Sequence, residues 1–321
     1  MSATTPATAQ GQAVTATATG YTAADVCAAF VAQLDRMPRT VETYRQNLKP
    51  LVAWLDGEGL AMDRVTARDM RRFKAFLETI YRPTTTNAYL TAARRLFAFV
   101  EAETGYPNPM ACVEGVRGTN KAKESKAHDA LSREQVRAVA AYEGEGLEGM
   151  RDRAMVNLML TCGLRTVEVA RANVGDFRQS GEVRYLVVQG KGHAEADTPV
   201  YVDAHTASLI DAYLTARGRA DGDAPLFAGV GNRNRGGRMS TKTISRMCKR
   251  TMEACGIHGA RLTAHSFRHT AITEAIRGGA DLLQAQTYAR HADPRTTQIY
   301  IHANERMRGT CESHMAAIIA G

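Results

Sequence analysis

The chain has no apolar run near the roughly 18 residues needed to cross a bilayer. Its first 24 residues carry no charged side chain, so neither a membrane span nor a secretory leader is expected and the protein is expected to work in the cytoplasm. The 6 cysteines (Cys27, Cys112, Cys162, Cys248, Cys255 and Cys311) include no C-x-x-C pair. That excludes a zinc ribbon and argues against a disulfide framework, leaving the thiols reduced and structural. A Walker-type Gly-x-x-x-x-Gly-Lys-Ser/Thr loop is absent, as is any repeat of fixed period. Acidic residues are the scarcer charge, 33 Asp+Glu against 41 Lys+Arg in 321 residues, which leaves +8 and a pI near 9.3. This surplus makes a polyanion the first partner to consider, although an ordinary soluble enzyme can carry it too. At 44% hydrophobic and 23% charged the composition is globular rather than disordered, and the length suits about two domains.

Residues 1–20 are dominated by Ala and Thr and lack the apolar surface to order themselves, so they are expected to be a disordered tail. From residue 21 to 112 the spacing is helical. Thr22 is a candidate cap before Val26, Phe30 and Leu34, and Val41, Tyr44, Leu48, Leu51 and Leu55 follow at helical intervals. A third helix is expected from Thr66, with Asp69 three residues on and Met70, Phe73 and Leu77 inward. A fourth, from near Thr84, carries Leu90, Ala93, Phe97 and Val100, completing a four-helix unit. Residues 113–128 read as an exposed basic linker containing Arg117, Lys121, Lys123 and Lys126. From 129 to 321 the chain is expected to be mostly helical, opening on a Ser132/Gln135 capping box. Its one interruption is a hairpin of residues 183–189 and 199–202 with Lys191 near the tip.

Several polar groupings stand out. Arg165 follows a glycine-containing break, and the three-residue spacing predicts Glu168 on the same helical face. Downstream, His265-Ser266-Phe267-Arg268-His269 sets His265 and Arg268 on one face of a helix, and His291 and Tyr300 lie nine residues apart. Each has an ordinary explanation taken singly: a surface ion pair, satisfied helix histidines, one tyrosine among 11. Zinc at His265 and His269 is disfavoured, because serine stands where a zinc-protease helix has glutamate and Arg268 would set a cation against the metal.

Taken in order, Arg165, Lys191, His265-x-x-Arg268, His291 and Tyr300 resemble the signature of the tyrosine recombinases, the phage-integrase family that includes Cre and Xer. Leu164-Arg165-Thr166-Val167-Glu168 is similar to the first arginine box, His265 to Thr270 to the second, and His291, Thr297 and Tyr300-Ile301-His302 to the nucleophile box. The resemblance implies a mainly α fold: an N-terminal core-binding (SAM-like) domain plus a mostly helical catalytic domain with a small β-sheet or hairpin. Where the family commonly has glycine before the histidine, this chain has Arg290. That residue is expected either to alter local packing or to add a phosphate contact.

The chemistry suits these residue types. Attack on a phosphodiester concentrates charge on non-bridging oxygens, which two planar guanidiniums, Arg165 and Arg268, can clamp. A phenol with a pKa near 10 needs a proton acceptor, for which His265 is the candidate, and Tyr300 is the nucleophile. A leaving 5′-hydroxyl needs a mobile acid, which Lys191 on a hairpin tip suits and the resemblance also implies. His291 is expected to donate to the phosphate, with Glu168 and His269 orienting their neighbours. Transesterification through a 3′-phosphotyrosyl link conserves the bond energy, so no cofactor is expected and no metal.

Residues 224–252 contain seven basic residues and no acidic one. On a helical wheel Lys242, Arg246, Lys249 and Arg250 oppose Ile244, Met247, Cys248 and Cys255, which fits either a solvated face or contact with DNA phosphates. Arg39, Arg72, Lys74, Arg94 and Arg95 are further possible contacts in the first unit. The resemblance implies double-stranded DNA as partner, a two-domain clamp and a homotetramer on synapsed sites, with no membrane role. The apolar run 315–320 is expected to pack either on its own domain or on a neighbouring protomer. The stretch before Tyr21 is too short for an arm-binding domain, which favours a simple core-site recombinase. A type IB topoisomerase, or a non-catalytic DNA-binding protein on the same scaffold, is the alternative. The target sequence, the direction of reaction and accessory proteins are not encoded legibly in the chain.

Overall fold

The computed structural model describes residues 22–117, 130–190, 195–218, 220–298 and 300. The tail 1–20, linker positions 118–128, Lys191 and everything after Tyr300 lie outside the described residues. The chain divides into two compact units at about residue 126.

The first unit holds α1 (Ala23–Ala32), α2 (Pro38–Glu58), a 3₁₀ turn (Met62–Arg64), α3 (Ala67–Ile80) and α4 (Pro83–Thr104). Reciprocal caps start α1 and α3: Thr22 and Thr66 accept from the backbone N–H groups of Asp25 and Asp69, whose carboxylates accept in return. α2 and α4 begin with proline in the first turn, where no N–H partner is needed. Leu48, Leu51, Leu55, Met70, Phe73, Leu77, Leu90, Ala93 and Phe97 are at most 1% exposed and form the core. Each large apolar side chain so buried contributes about 1.5–3 kcal/mol.

The second unit begins with α5 (Arg133–Ala141), which Ser132 and Gln135 cap reciprocally. α6 (Gly146–Cys162) follows. Ala154, Met155, Val156, Leu158 and Met159 on α6 are all fully buried, so this part of the helix runs through the core. Next come α7 (Thr166–Arg171), β1 (Phe177–Ser180), β2 (Val183–Val188), β3 (Thr198–Val202) and α8 (Ala204–Arg217). Then follow α9 (Thr241–Ala254), α10 (Ala264–Arg277) and α11 (Leu282–Ala289).

The sheet is antiparallel in the order β1-β2-β3, with Phe177 opposite Leu186 and Tyr185 opposite Tyr201. The expected hairpin is thus the β2-β3 pair, and β1 is an addition. Its Phe-Arg-Gln-Ser segment is too polar and too exposed to show strand periodicity, and the turn at Gly181 (φ +59°) folds it onto β2. Ile272 and Ile276 of α10 pack with Ala285 and Ala289 of α11 in a small separate cluster, and Tyr288 and Tyr300 rest against it.

Candidate active site

α6 ends at Gly163, whose left-handed backbone (φ +56°) stops the helix. A Cβ there would stand 3.2 Å from the Tyr288 ring, so both the backbone and the close approach favour glycine. The chain restarts as α7 with Arg165 at its N-cap. The sequence spacing predicts Arg165 and Glu168 on one helical face. Instead Arg165 has extended backbone just outside the helix, and Glu168 reaches back to it. Glu168 Oε2 accepts from the Arg165 N–H at 2.8 Å and Oε1 from its guanidinium at 2.7 Å. The other arm of Arg165 donates to the Arg290 carbonyl at 3.1 Å. Glu168 is wholly buried. Burial alone would raise its pKa, but the Arg290 charge and the hydrogen bonds and charge of Arg165 outweigh it and hold the carboxyl below the usual range.

Thr263 caps α10 by accepting from the His265 N–H at 3.2 Å. Arg268 lies within that helix, 3% exposed, and donates to the carbonyls of Gly163 at 2.6 Å and of Ala289. Burial, reinforced by the neighbouring Arg165 and Arg290 charges, lowers it to about 9, which leaves it cationic at neutral pH.

α11 ends in Arg290, the one non-glycine residue with positive φ (+53°) among the described residues. Glycine is the residue that adopts that left-handed turn most readily. The Arg290 guanidinium turns inward, to Glu168 Oε2 (3.1 Å) and the carbonyls of Gly163 (3.0 Å) and Tyr288 (2.9 Å). Of the two expectations for Arg290, altered packing is therefore what these bonds describe. The His291 Nδ1 stands 2.8 Å from the hydroxyl of the fully buried Thr297. Burial, with the charges of Arg268, Arg165 and Arg290, lowers His291 to about 4, so its imidazole is neutral at pH 7.

Tyr300 is half-buried, with the His269 ring edge-on at 4.9 Å and the His291 ring stacked at 6.4 Å. Burial raises its phenol above the usual value, and Arg268 and Arg165 pull it part of the way back. Arg165, Glu168, Arg268, His269, His291 and Tyr300 therefore converge. His265 is exposed on the turn before His269, so the ring packed against Tyr300 belongs to His269, expected only to support its neighbours. The tie between Thr297 and His291 and the role of Tyr288 are absent from the sequence reading, and the altered packing expected of Arg290 came without its partners. The Tyr288 hydroxyl donates to the Thr161 carbonyl at 2.6 Å and is thereby occupied.

Residues 129–307 match the phage integrase family, and residues 29–104 match that family's N-terminal SAM-like domain. The chain belongs to the phage integrase family. It is 32% identical to tyrosine recombinase XerD of Ralstonia nicotianae over 282 residues, which cover 86% of this chain and 87% of that one. Identity to tyrosine recombinase XerD of Vibrio cholerae is 29% over 286 residues, 86% and 89% of the respective chains. In fold it is similar to the XerH site-specific recombinase bound to palindromic difH substrate in a post-cleavage complex, with a TM-score of 0.72, 18% identity and coverage of 85% and 79%. The lambda integrase dimer bound to a COC′ core site gives a TM-score of 0.64 at 15% identity, covering 86% and 76%.

In this phage integrase chain, α9 buries Ile244, Met247 and Cys248 and exposes Lys242, Arg246, Lys249 and Arg250, as the wheel predicts; Met252 is buried too, while Cys255, expected on that face, is the half-buried residue that caps the helix. The four cations are not equivalent. Arg250 pairs with Glu148 at 3.1 Å and lies 3.8 Å from Asp152, and Lys249 lies 3.8 Å from Glu253. Arg238, in the same basic stretch, donates to the carbonyls of Ala170 and Arg171 at 2.9 Å and to Asn173, which makes it an internal tie. Two cations of the first unit are engaged likewise: Arg72 pairs with Glu58, and Arg94 donates to the Val113 carbonyl at 2.8 Å. Among the described residues no helix is long and apolar enough to cross a membrane.

Proposed function

We propose that this member of the family is a site-specific recombinase acting on duplex DNA in the cytoplasm, with Tyr300 as nucleophile. The Tyr300 Oη attacks the scissile phosphorus, the bond to the 5′ oxygen breaks, and the product is a 3′-phosphotyrosyl ester with a free 5′-hydroxyl. Arg165 and Arg268 hold the non-bridging oxygens, where negative charge accumulates. The phenol proton passes to His265, and Lys191 protonates the departing 5′ oxygen. With Thr297 donating to Nδ1, the neutral His291 keeps Nε2–H available for the phosphate. Attack by a 5′-hydroxyl of a partner strand reverses the chemistry and completes the exchange. No nucleotide or metal ion is invoked in these steps. Lys242 and Arg246 on α9 contact the DNA backbone, and the active assembly is a homotetramer on two synapsed sites.

The observation that carries this reading is the packing of the His269 and His291 rings on the half-buried Tyr300, at 4.9 and 6.4 Å, in the cluster where Glu168 and the Gly163 carbonyl hold Arg165 and Arg268. Similarity to XerD recombinases over 86% of the chain supports recombination over the relaxing reaction of a type IB topoisomerase. The discriminating experiment incubates the protein with a plasmid carrying two copies of the DNA flanking its own gene, beside a supercoiled plasmid without them. Resolution of the first alone supports the proposal. Relaxation of both without resolution supports the topoisomerase alternative, and inertness toward both, with binding intact, a non-catalytic scaffold.

A further inference from the structure

The turn between α11 and His291 has the left-handed backbone that glycine adopts most readily, yet this chain sets a long cationic side chain there. A strained position of this kind persists only where surrounding contacts fix it. The Arg290 guanidinium supplies such contacts, because it lies 11% exposed and its bonds are made to the supports of both other arginines. It shares Glu168 with Arg165: Oε1 takes Arg165 at 2.7 Å, and Oε2 takes Arg290 at 3.1 Å. The Gly163 carbonyl is shared with Arg268, at 3.0 Å from Arg290 and 2.6 Å from Arg268. Its own carbonyl receives the second arm of Arg165 at 3.1 Å. Arg290 is thus bonded to one group that orients each of the pair, Glu168 for Arg165 and the Gly163 carbonyl for Arg268, with its side chain reaching the end of α6.

We propose that Arg290 is a positioning residue for the cleavage reaction, locking Arg165 and Arg268 in register through Glu168 and Gly163 and adding a third positive charge behind the phosphate site. With glycine at the turn, Glu168 would largely neutralise Arg165 and the cluster would keep a surplus of one positive charge. With arginine the surplus is two, around a single buried carboxylate. The added charge acts on His291, the next residue in the chain, and favours its neutral form. Arg290 touches no reacting atom in this scheme. It acts through the residues it holds, and the inference rests on the assignment of Arg165, Arg268 and Tyr300 given above.

The test uses the full chain with Arg290→Gly, which the left-handed backbone accepts without strain, and Arg290→Lys, which restores charge without the planar fork. Two measurements are made on each. Formation of the covalent adduct on a nicked DNA substrate is followed in a single turnover between about pH 5 and pH 8. The His291 imidazole is titrated by NMR in the free protein, assigned with His291→Gln. In Arg290→Gly the adduct rate is expected to fall about tenfold or more, most steeply at the acid end, and the His291 titration to move up in pH. Arg290→Lys is expected to return the His291 titration toward wild type but only part of the rate. An unchanged His291 titration together with a wild-type adduct rate in Arg290→Gly would overturn the inference. A wild-type protein that forms no adduct, while His291 still shifts in the glycine variant, would count against the Tyr300 assignment and not against the action of Arg290.

Discussion

The His269 ring stands edge-on to the Tyr300 ring, with centroids 4.9 Å apart and planes at 68°. One nitrogen of that histidine lies 3.1 Å from the Thr273 hydroxyl on the next turn, which fixes the ring plane and, through it, the phenol. His265 is exposed one turn earlier on the same helical face. Cleavage by His265→Ala should therefore fall by about 10²-fold or more, the range of a lost proton acceptor. His269→Ala should lose about tenfold through misorientation of the phenol. Single-turnover adduct formation on a nicked substrate separates the two, and the reverse order of effects would transfer the proton-acceptor role to His269.

Glu168 is buried between Arg165 and Arg290. Glu168→Ala removes the carboxylate and leaves two guanidiniums facing each other, so a destabilisation of about 3–5 kcal/mol is expected in thermal or urea melts. The sign with pH follows from the depressed pKa of Glu168. Its contribution is complete above its ordinary value of 4.5 and is lost as pH falls through the lower folded value. Wild type and Glu168→Ala should accordingly converge in stability below that range. A constant difference down to strongly acid pH would show that folding does not depress the Glu168 pKa.

The neutral state of His291 makes a second prediction in pH. Its folded pKa of about 4 lies below the ordinary 6.5, so the unfolded chain binds a proton first as pH falls. Stability from this group is full above 6.5 and declines as the pH drops toward 4. Thr297→Val keeps the shape of a fully buried residue and removes the hydroxyl 2.8 Å from His291 Nδ1. Cleavage by this variant should fall by about tenfold, with DNA affinity little changed, because the tautomer that leaves Nε2–H for the phosphate is no longer selected. Measuring affinity and adduct rate side by side checks this, and a parallel loss of both would point to misfolding of the segment.

Much of the first unit was legible because its helices announce themselves by caps and spacing: Thr22/Asp25 and Thr66/Asp69 are local signals, and Leu48, Leu51 and Leu55 repeat at helical intervals. The site was legible as a set of residue types in order, since phosphate chemistry limits which side chains can serve. Its connections were not. Glu168 answers to Arg290, 122 residues away, and Arg268 to the Gly163 carbonyl, 105 residues away, and no local spacing encodes such pairings. Strand β1 was missed because its polar segment acquires strand geometry only by pairing with β2. The basic stretch gave the right face of α9 but not the acids of α6, so Arg250 looked equivalent to Lys242.

That distinction makes a prediction for binding. Lys242→Ala and Arg246→Ala should each weaken DNA affinity and lower the salt slope by about one, the loss of one phosphate contact. Arg250 is held by Glu148, so Arg250→Ala should alter the salt slope less than either. Titrations of duplex DNA at several salt concentrations decide it. Equal slopes for Lys242→Ala, Arg246→Ala and wild type would remove α9 from the DNA-contacting surface.

The nucleophile is tested most directly by trapping the covalent intermediate. Wild-type protein incubated with a nicked substrate, from which the cleaved fragment diffuses away, should accumulate a protein–DNA adduct that survives denaturation and maps to Tyr300 by peptide mass. Tyr300→Phe should bind the same DNA with unchanged affinity and form none. An adduct in Tyr300→Phe, or one that maps to Tyr288, would contradict the assignment on which the mechanism stands.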